Sequence, residues 1–247
     1  MKKIFAILLI LSLAAIAFGC EKQNTLKFED TFVTTDENVI EAAGDPDMNW
    51  ADFFGDVSPE SMYKEAEVVV YGTVGKVEFY DNLVFGYTLY EFTIEKAYKG
   101  DIKEGEKITV GTTGGDVRME KDVKKHGNSF GLSEEEIANT VLRYRQYDEA
   151  IPKEGEKFML YLTKYVRHEE MKEEDSPPEG IYAQDKVCAG RYFYGESGEL
   201  ERAVPSRYQT IYMPKDEKGE FVEETKENDD KWTFEELDKK LSELKAK

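Results

Sequence analysis

The chain has 247 residues, and its 33 Lys and Arg against 52 Asp and Glu leave a formal charge of −19 at pH 7. A chain this acidic is repelled by phosphate backbones and anionic headgroups, which argues against nucleic acid as a partner and favours cations or basic proteins, although acidity also serves solubility. With 2 Cys and 2 His, none at metal-ligand spacing, neither zinc nor haem has a case, and no cofactor is expected.

Lys2 and Lys3 precede an uncharged run from Ile4 to Gly19. As a helix those residues would reach ~24 Å, short of the ~30 Å hydrocarbon core, so the run reads as a cleaved signal peptide and not a permanent span. Its end, Ala17-Phe18-Gly19-Cys20, resembles the lipobox of bacterial lipoproteins, in which a small residue precedes the cysteine that receives a diacylglyceryl group. That resemblance makes Cys20 the lipidation site, and two acyl chains supply a stable anchor. The family prefers Leu and a small residue where this chain has Ala17 and Phe18. Ala15-Ile16-Ala17 also fits ordinary signal peptidase, which would release a secreted protein.

Beyond the signal, residues 20–56 read as an acidic tether that would span ~33 Å as a flexible coil. Phe28, Phe32, Trp50, Phe53 and Phe54 imply that part of it packs on the domain. Ser58, Pro59 and the Val57/Met62 pair predict a short helix to about Ala66. Strands follow at Val68–Phe79, where Gly72 and Gly75 suggest a bend or bulge, then at Tyr87–Tyr98 and Lys107–Thr113. Residues 116–150 read as a helical insertion: Ser133 and Glu136 form a capping box, and Ile137, Val141 and Tyr144 share a helical face. A fourth strand is expected at Lys157–Thr163, then a charged loop from His168 to Gly180. Gly190–Tyr194 with Leu200–Val204 makes a hairpin around Glu196-Ser197-Gly198-Glu199, and Tyr208–Tyr212 with Phe221-Val222 a second. A final helix, 233–246, is capped by Thr233 and Glu236, and its stripe of Phe234, Leu237, Leu241 and Leu244 should dock on the sheet.

The succession EAEVVVYGTVGKVEF, YTLYEFTIEKAYKGDIKEGEKITVGTTGG, KEGEKFMLYLTK and AGRYFYGESGELERAV resembles a widespread group of bacterial surface domains. Its layout is similar to the OB-type barrel of netrin and tissue-inhibitor-of-metalloproteinase modules. The resemblance covers about 58–205 and implies an OB-like small β-barrel. With the elements above, the expectation is a mainly β fold with α additions, in which that barrel carries a helical insertion and a C-terminal docking helix within one domain over 57–247. It does not carry inhibitor activity across, because those inhibitors use a free N-terminal cysteine braced by disulfides. Here the counterpart would be acylated Cys20, which leaves Cys188 without a disulfide partner and reads it as a buried structural thiol.

Three patterns invite chemistry. Gly127-Asn128-Ser129-Phe130-Gly131 matches a nucleophile elbow, with Asp148 and His168 following in hydrolase order, but the charged residues before it make no buried strand. Asp45 to Asp56 spaces oxygen ligands like a calcium loop, yet has Trp50 where Gly is needed; the acidic runs Asp216–Glu220 and Glu223–Asp230 show no ligand pattern. The tyrosines of Tyr87–Tyr98 and Tyr192–Tyr194 could line a binding surface, with core packing the simpler role. The resulting expectation is a non-enzymatic, membrane-anchored module binding a protein, peptide or envelope component. The alternatives are a serine hydrolase using Ser129 and a calcium-stabilised adhesin-like domain.

Overall fold

The structure, a computed structural model, describes residues 31–34, 38–42, 57–81, 86–145, 150–167, 169–170, 172, 176–185, 187–202, 210–212, 223–225 and 231–247. The elements begin with β1 (Thr31–Phe32), β2 (Val39–Glu41), α1 (Pro59–Glu65), β3 (Val68–Tyr80), β4 (Tyr87–Lys99), β5 (Lys107–Thr113) and β6 (Gly115–Arg118). Then come α2 (Met119–His126), α3 (Glu134–Asn139), β7 (Val141–Tyr144), β8 (Lys157–Lys164), β9 (Tyr182–Gln184), β10 (Arg191–Tyr194), β11 (Leu200–Arg202), β12 (Thr210–Tyr212), β13 (Glu223–Thr225) and α4 (Phe234–Lys245).

Five of the strands close a barrel in the order β3-β4-β5-β9-β8, with β8 pairing back onto β3. Every pair in this ring is antiparallel except β5 with β9, so the barrel is mixed and OB-like. Closure of so few strands demands strong curvature, and β3 supplies it. Its register against β4 slips between Val69 and Val70, Tyr71 and Gly72, and Val74 and Val77, around the two glycines. Gly72 is obligatory for a second reason: a Cβ there would lie 2.1 Å from the carbonyl oxygen of Thr93.

Strand alternation sorts most of the apolar residues of these strands into two cores, with Tyr80, Tyr87, Leu89 and Ile181 forming a smaller third cluster. Val68, Val70 and Val74 from β3, Phe92 and Ile94 from β4, Ile108 and Val110 from β5, and Phe158, Leu160 and Leu162 from β8 form the cluster that fills the barrel. The alternate residues Val69, Tyr71, Met159 and Tyr161 face outward into a second cluster with Met62 of α1, Tyr192 of β10, Leu200 of β11, and Leu237 and Leu241 of α4. Burying each of those leucines contributes roughly 1.5–3 kcal/mol, which explains why α4 lies on the barrel wall.

Both helices that cover this wall start as the sequence implies. The Ser58 hydroxyl accepts from the Ser61 amide, and Thr233 and Glu236 form a reciprocal capping box. On α4, Leu237 and Leu241 are fully buried, while Phe234 and Leu244 pack at the edge. Polar contacts fix its position: Asp238 takes hydrogen bonds from Lys96 and Tyr98 of β4, and Lys240 pairs with Glu60 of α1.

The insertion is more than helical. Its two short helices, α2 and α3, are flanked by β6 and β7, which pair antiparallel, and β2 joins β7 in parallel to make a three-stranded sheet. Val141 and Tyr144 therefore lie on a strand and not on the helical face expected for them with Ile137. The capping box at Ser133 nucleates α3, but Thr140 is extended and the β-branched and aromatic run Val141–Tyr144 is taken by β6. Buried carboxylates hold this part together. Asp116, with no exposed surface, binds Arg143 at 2.7 and 3.0 Å, and Asp122 receives the Tyr144 hydroxyl at 2.9 Å and contacts His126 at 2.9 Å.

Strand β9 is absent from the sequence reading because three residues carry too little periodicity to register. The hairpin of β10 and β11 forms as expected. In the second hairpin β12 pairs with β13, whose residues Glu223–Thr225 lie just beyond the expected Phe221-Val222. Among the described residues no helix is long and apolar enough to cross a membrane.

Candidate functional site

Among the described residues a concavity lies where β8 meets β10. It is a pocket of about 330 Å³ lined by Ala150, Gly155, Glu156, Lys157, Phe158, Arg191, Phe193 and Tyr194. That size is at the low end for ligand sites and suits a side chain or a small molecule.

Sequence and register build it directly. Phe158 on β8 stands opposite Phe193 on β10, and Arg191 stands opposite Leu160. Residues 191 and 193 therefore share the face that continues the barrel lining, while Tyr192 between them turns to the outer core. The rim is a rigid turn: Gly155, at φ +89°, donates to the Val74 carbonyl at 2.9 Å, and the Val74 amide donates to the Glu156 carbonyl at 2.8 Å. The Glu156 carboxylate accepts from the Lys153 amide at 2.8 Å, which holds the turn closed.

Arg191 is the unusual member. It is only 2% exposed, the bulkiest of the fully buried side chains, with its guanidinium carbon 4.9 Å from the centre of the Phe158 ring. One terminal nitrogen donates to the Ala150 carbonyl at 2.6 Å. A guanidinium stacked on an aromatic face is held in one orientation and presents a planar fork of donors. Lys157 adds a second cation at the mouth; it pairs with Glu95 at 2.9 Å and lies over the Tyr71 ring. Burial by itself would raise the Glu95 pKa, but hydrogen bonds from Thr73 and Lys157 and the lysine charge outweigh it and hold the carboxyl below its ordinary value. Tyr194, 40% exposed, shares a hydroxyl hydrogen bond of 3.2 Å with Tyr71. The result is an apolar floor with the Arg191 guanidinium in its wall and the Lys157–Glu95 pair at its mouth, on a chain of net negative charge.

The residues singled out from sequence do not converge here, Tyr194 excepted. Cys20 lies outside the described residues, as do Asp148, His168, and the acidic stretches at 45–56 and 216–220. Ser129 is exposed on a turn that follows helix α2, so the strand-to-helix elbow required of a Ser nucleophile is not formed around it. Its neighbour His126 is engaged by Asp122, and Cys188 lies in the 3-10 turn Val187–Gly190. Most of the suspected tyrosines are core residues: Tyr87, Tyr90, Tyr98 and Tyr192 are buried. Among the described residues no cluster of three or more His, Cys, Asp or Glu could hold a metal.

Arg191 is not among the residues that the sequence singles out. A charged residue inside Gly190-Arg191-Tyr192-Phe193-Tyr194, at a position whose strand neighbours are aromatic, was the available signal. Compared with models of known protein families and with curated protein sequences, the chain matches none.

Proposed function

We propose that this chain is a lipid-anchored binding module on the outer face of a bacterial membrane, attached through diacylglyceryl on Cys20. Its barrel captures a protein, peptide or envelope component by a small apolar group that carries negative charge. The observation that carries the ligand reading is the pocket between β8 and β10, where Phe158 and Phe193 offer apolar surface and Arg191 and Lys157 bring positive charge on a chain of net negative charge. The OB-like barrel is a fold widely used for binding, which supports a binding role over a catalytic one, and Ala17–Cys20 supports the anchor.

Ligand and anchor are tested separately. Titration of the mature chain with phenylacetate, followed by amide NMR, should move Gly155, Lys157 and Phe193, whereas benzylamine should not. Lys157→Gln and Tyr194→Ala, both at exposed positions, should weaken the phenylacetate response severalfold. Equal responses to the two probes, or shifts confined to other surfaces, would remove the pocket from the proposal. For the anchor, Cys20→Ala should move the protein from the membrane fraction to the soluble fraction; a variant still wholly membrane-bound would refute lipid attachment.

A further inference from the structure

We infer that the stretch running through 31–34 and 38–42 is a strap that binds the membrane-proximal end of the chain to the domain, so that the domain rides at the bilayer surface with one defined end inward. The bilayer part of this inference rests on the lipid anchor proposed above.

The strap is fastened both to the barrel and to the three-stranded sheet. At its start, β1 pairs with the far end of β3, Thr31 with Tyr80 and Phe32 with Phe79. The Phe32 ring lies 5.9 Å from that of Phe79, and the Arg118 guanidinium covers it at 4.9 Å. The Thr31 hydroxyl donates to Glu78 at 3.1 Å, and that of Thr34 donates to the buried Asp116. At its end, β2 runs parallel to β7, the Ala42 amide donates to the Arg143 carbonyl at 2.8 Å, and Glu41 pairs with Arg145 at 3.0 Å. These contacts fall inside the stretch that composition alone reads as tether.

Docking at Thr31 shortens the leash. From Cys20 to Thr31 the chain can reach at most ~40 Å, against ~130 Å if its first contact with the domain came only after residue 56. It also selects the end that faces inward. The β1 contact is at the Phe79–Tyr80 end of the β3–β4 ribbon, whereas the turn that carries Asp101 follows Lys99, which pairs with Val69 at the opposite end. A chain of charge −19 is not drawn to anionic headgroups, so the leash and not electrostatics must set this geometry.

The test uses the full lipidated chain in zwitterionic phosphatidylcholine vesicles that contain a headgroup-labelled acceptor. A donor dye is placed through a bioorthogonal residue at Lys76 or at Asp101, which leaves both cysteines untouched. Energy transfer from position 76 should be at least twofold that from 101, and the difference should vanish in the double variant Phe32→Ser, Thr34→Ala. The Ala42 amide should exchange slowly in the wild type and fast in that variant. Equal transfer from the two positions with the protein vesicle-bound overturns the orientation, and fast wild-type exchange at Ala42 overturns the strap. If Cys20→Ala binds vesicles as well as the wild type, the anchor fails and takes the bilayer geometry with it, while Ala42 exchange still decides the strap.

Discussion

Asp81 has no exposed surface and sits between the Arg118 guanidinium, at 2.6 and 2.9 Å, and the Lys121 ammonium, at 2.6 Å. Burial favours its protonated form, but the two cations and their hydrogen bonds outweigh that and hold the pKa below the ordinary 3.8. A carboxyl whose folded pKa is depressed contributes stability that is complete at neutral pH and is lost as pH falls through the folded value. Asp81→Asn should therefore cost about 3 kcal/mol at pH 7, the lower end for a broken buried pair, since both cations remain partly solvated. In urea denaturation the gap from wild type should narrow below about pH 4; a gap independent of pH would show that packing and not charge is at stake. Gly72 is a residue of the opposite kind, one that acts by what it lacks. Gly72→Ala pushes a methyl group into the Thr93 carbonyl and should lower stability by about 2–3 kcal/mol, whereas Gly105→Ala meets nothing within 4 Å, so its cost reflects only the backbone. Thermal melts of the two variants provide the comparison.

At the scale of elements, the helices divide by how they are held. The final helix combines a local start signal with a tertiary dock, so it can be weakened in two independent ways. Thr233→Ala removes a hydroxyl that caps the Glu236 amide and should cost about 1 kcal/mol. Leu241→Ala empties a fully buried site and should cost about 3 kcal/mol, measurable as a drop in the denaturation midpoint at unchanged slope. The insertion shows why elements are harder to read than caps. Ser133 and Glu136 marked the beginning of α3 correctly, yet the periodicity of Ile137, Val141 and Tyr144 extended it too far. A position three or four residues on fits a helix, and the same residues alternate well enough for a strand. The choice was made by β6, whose backbone supplies the partner for Val141–Tyr144 and whose presence no local pattern announced.

Across the whole molecule, the tyrosines report on integrity. Burial is the leading cause that pushes the Tyr87, Tyr161 and Tyr192 hydroxyls far above the ordinary value of 10.0, and burial with the Asp122 hydrogen bond takes Tyr144 up to about 12. A group whose folded pKa is raised contributes stability that is intact below the unfolded value and lost as pH rises above it. Stability should thus decline above about pH 10, and the absorbance of the buried tyrosinates should rise together with the loss of circular dichroism. Smooth ionisation of Tyr87, Tyr161 and Tyr192 ahead of unfolding would contradict their burial.

What the sequence determined by itself was local: the caps at Ser58, Ser133 and Thr233, the apolar stripe of α4, the four long strands and the bend at Gly72 and Gly75. These depend on hydrogen bonds and alternation within a few residues of one another, so composition and spacing contain them. The OB-like barrel was legible one step further out, because the order and spacing of those strands leave few ways to close a sheet. Only the tertiary structure decided the return of β8 to β3, the second sheet inside the insertion, where residues 31–34 and 38–42 dock, and the placement of Arg191 over Phe158. Each of those depends on partners separated by tens of residues, such as Phe32 with Phe79 and Phe158 with Arg191, and a linear chain carries no local mark of where such a partner will arrive.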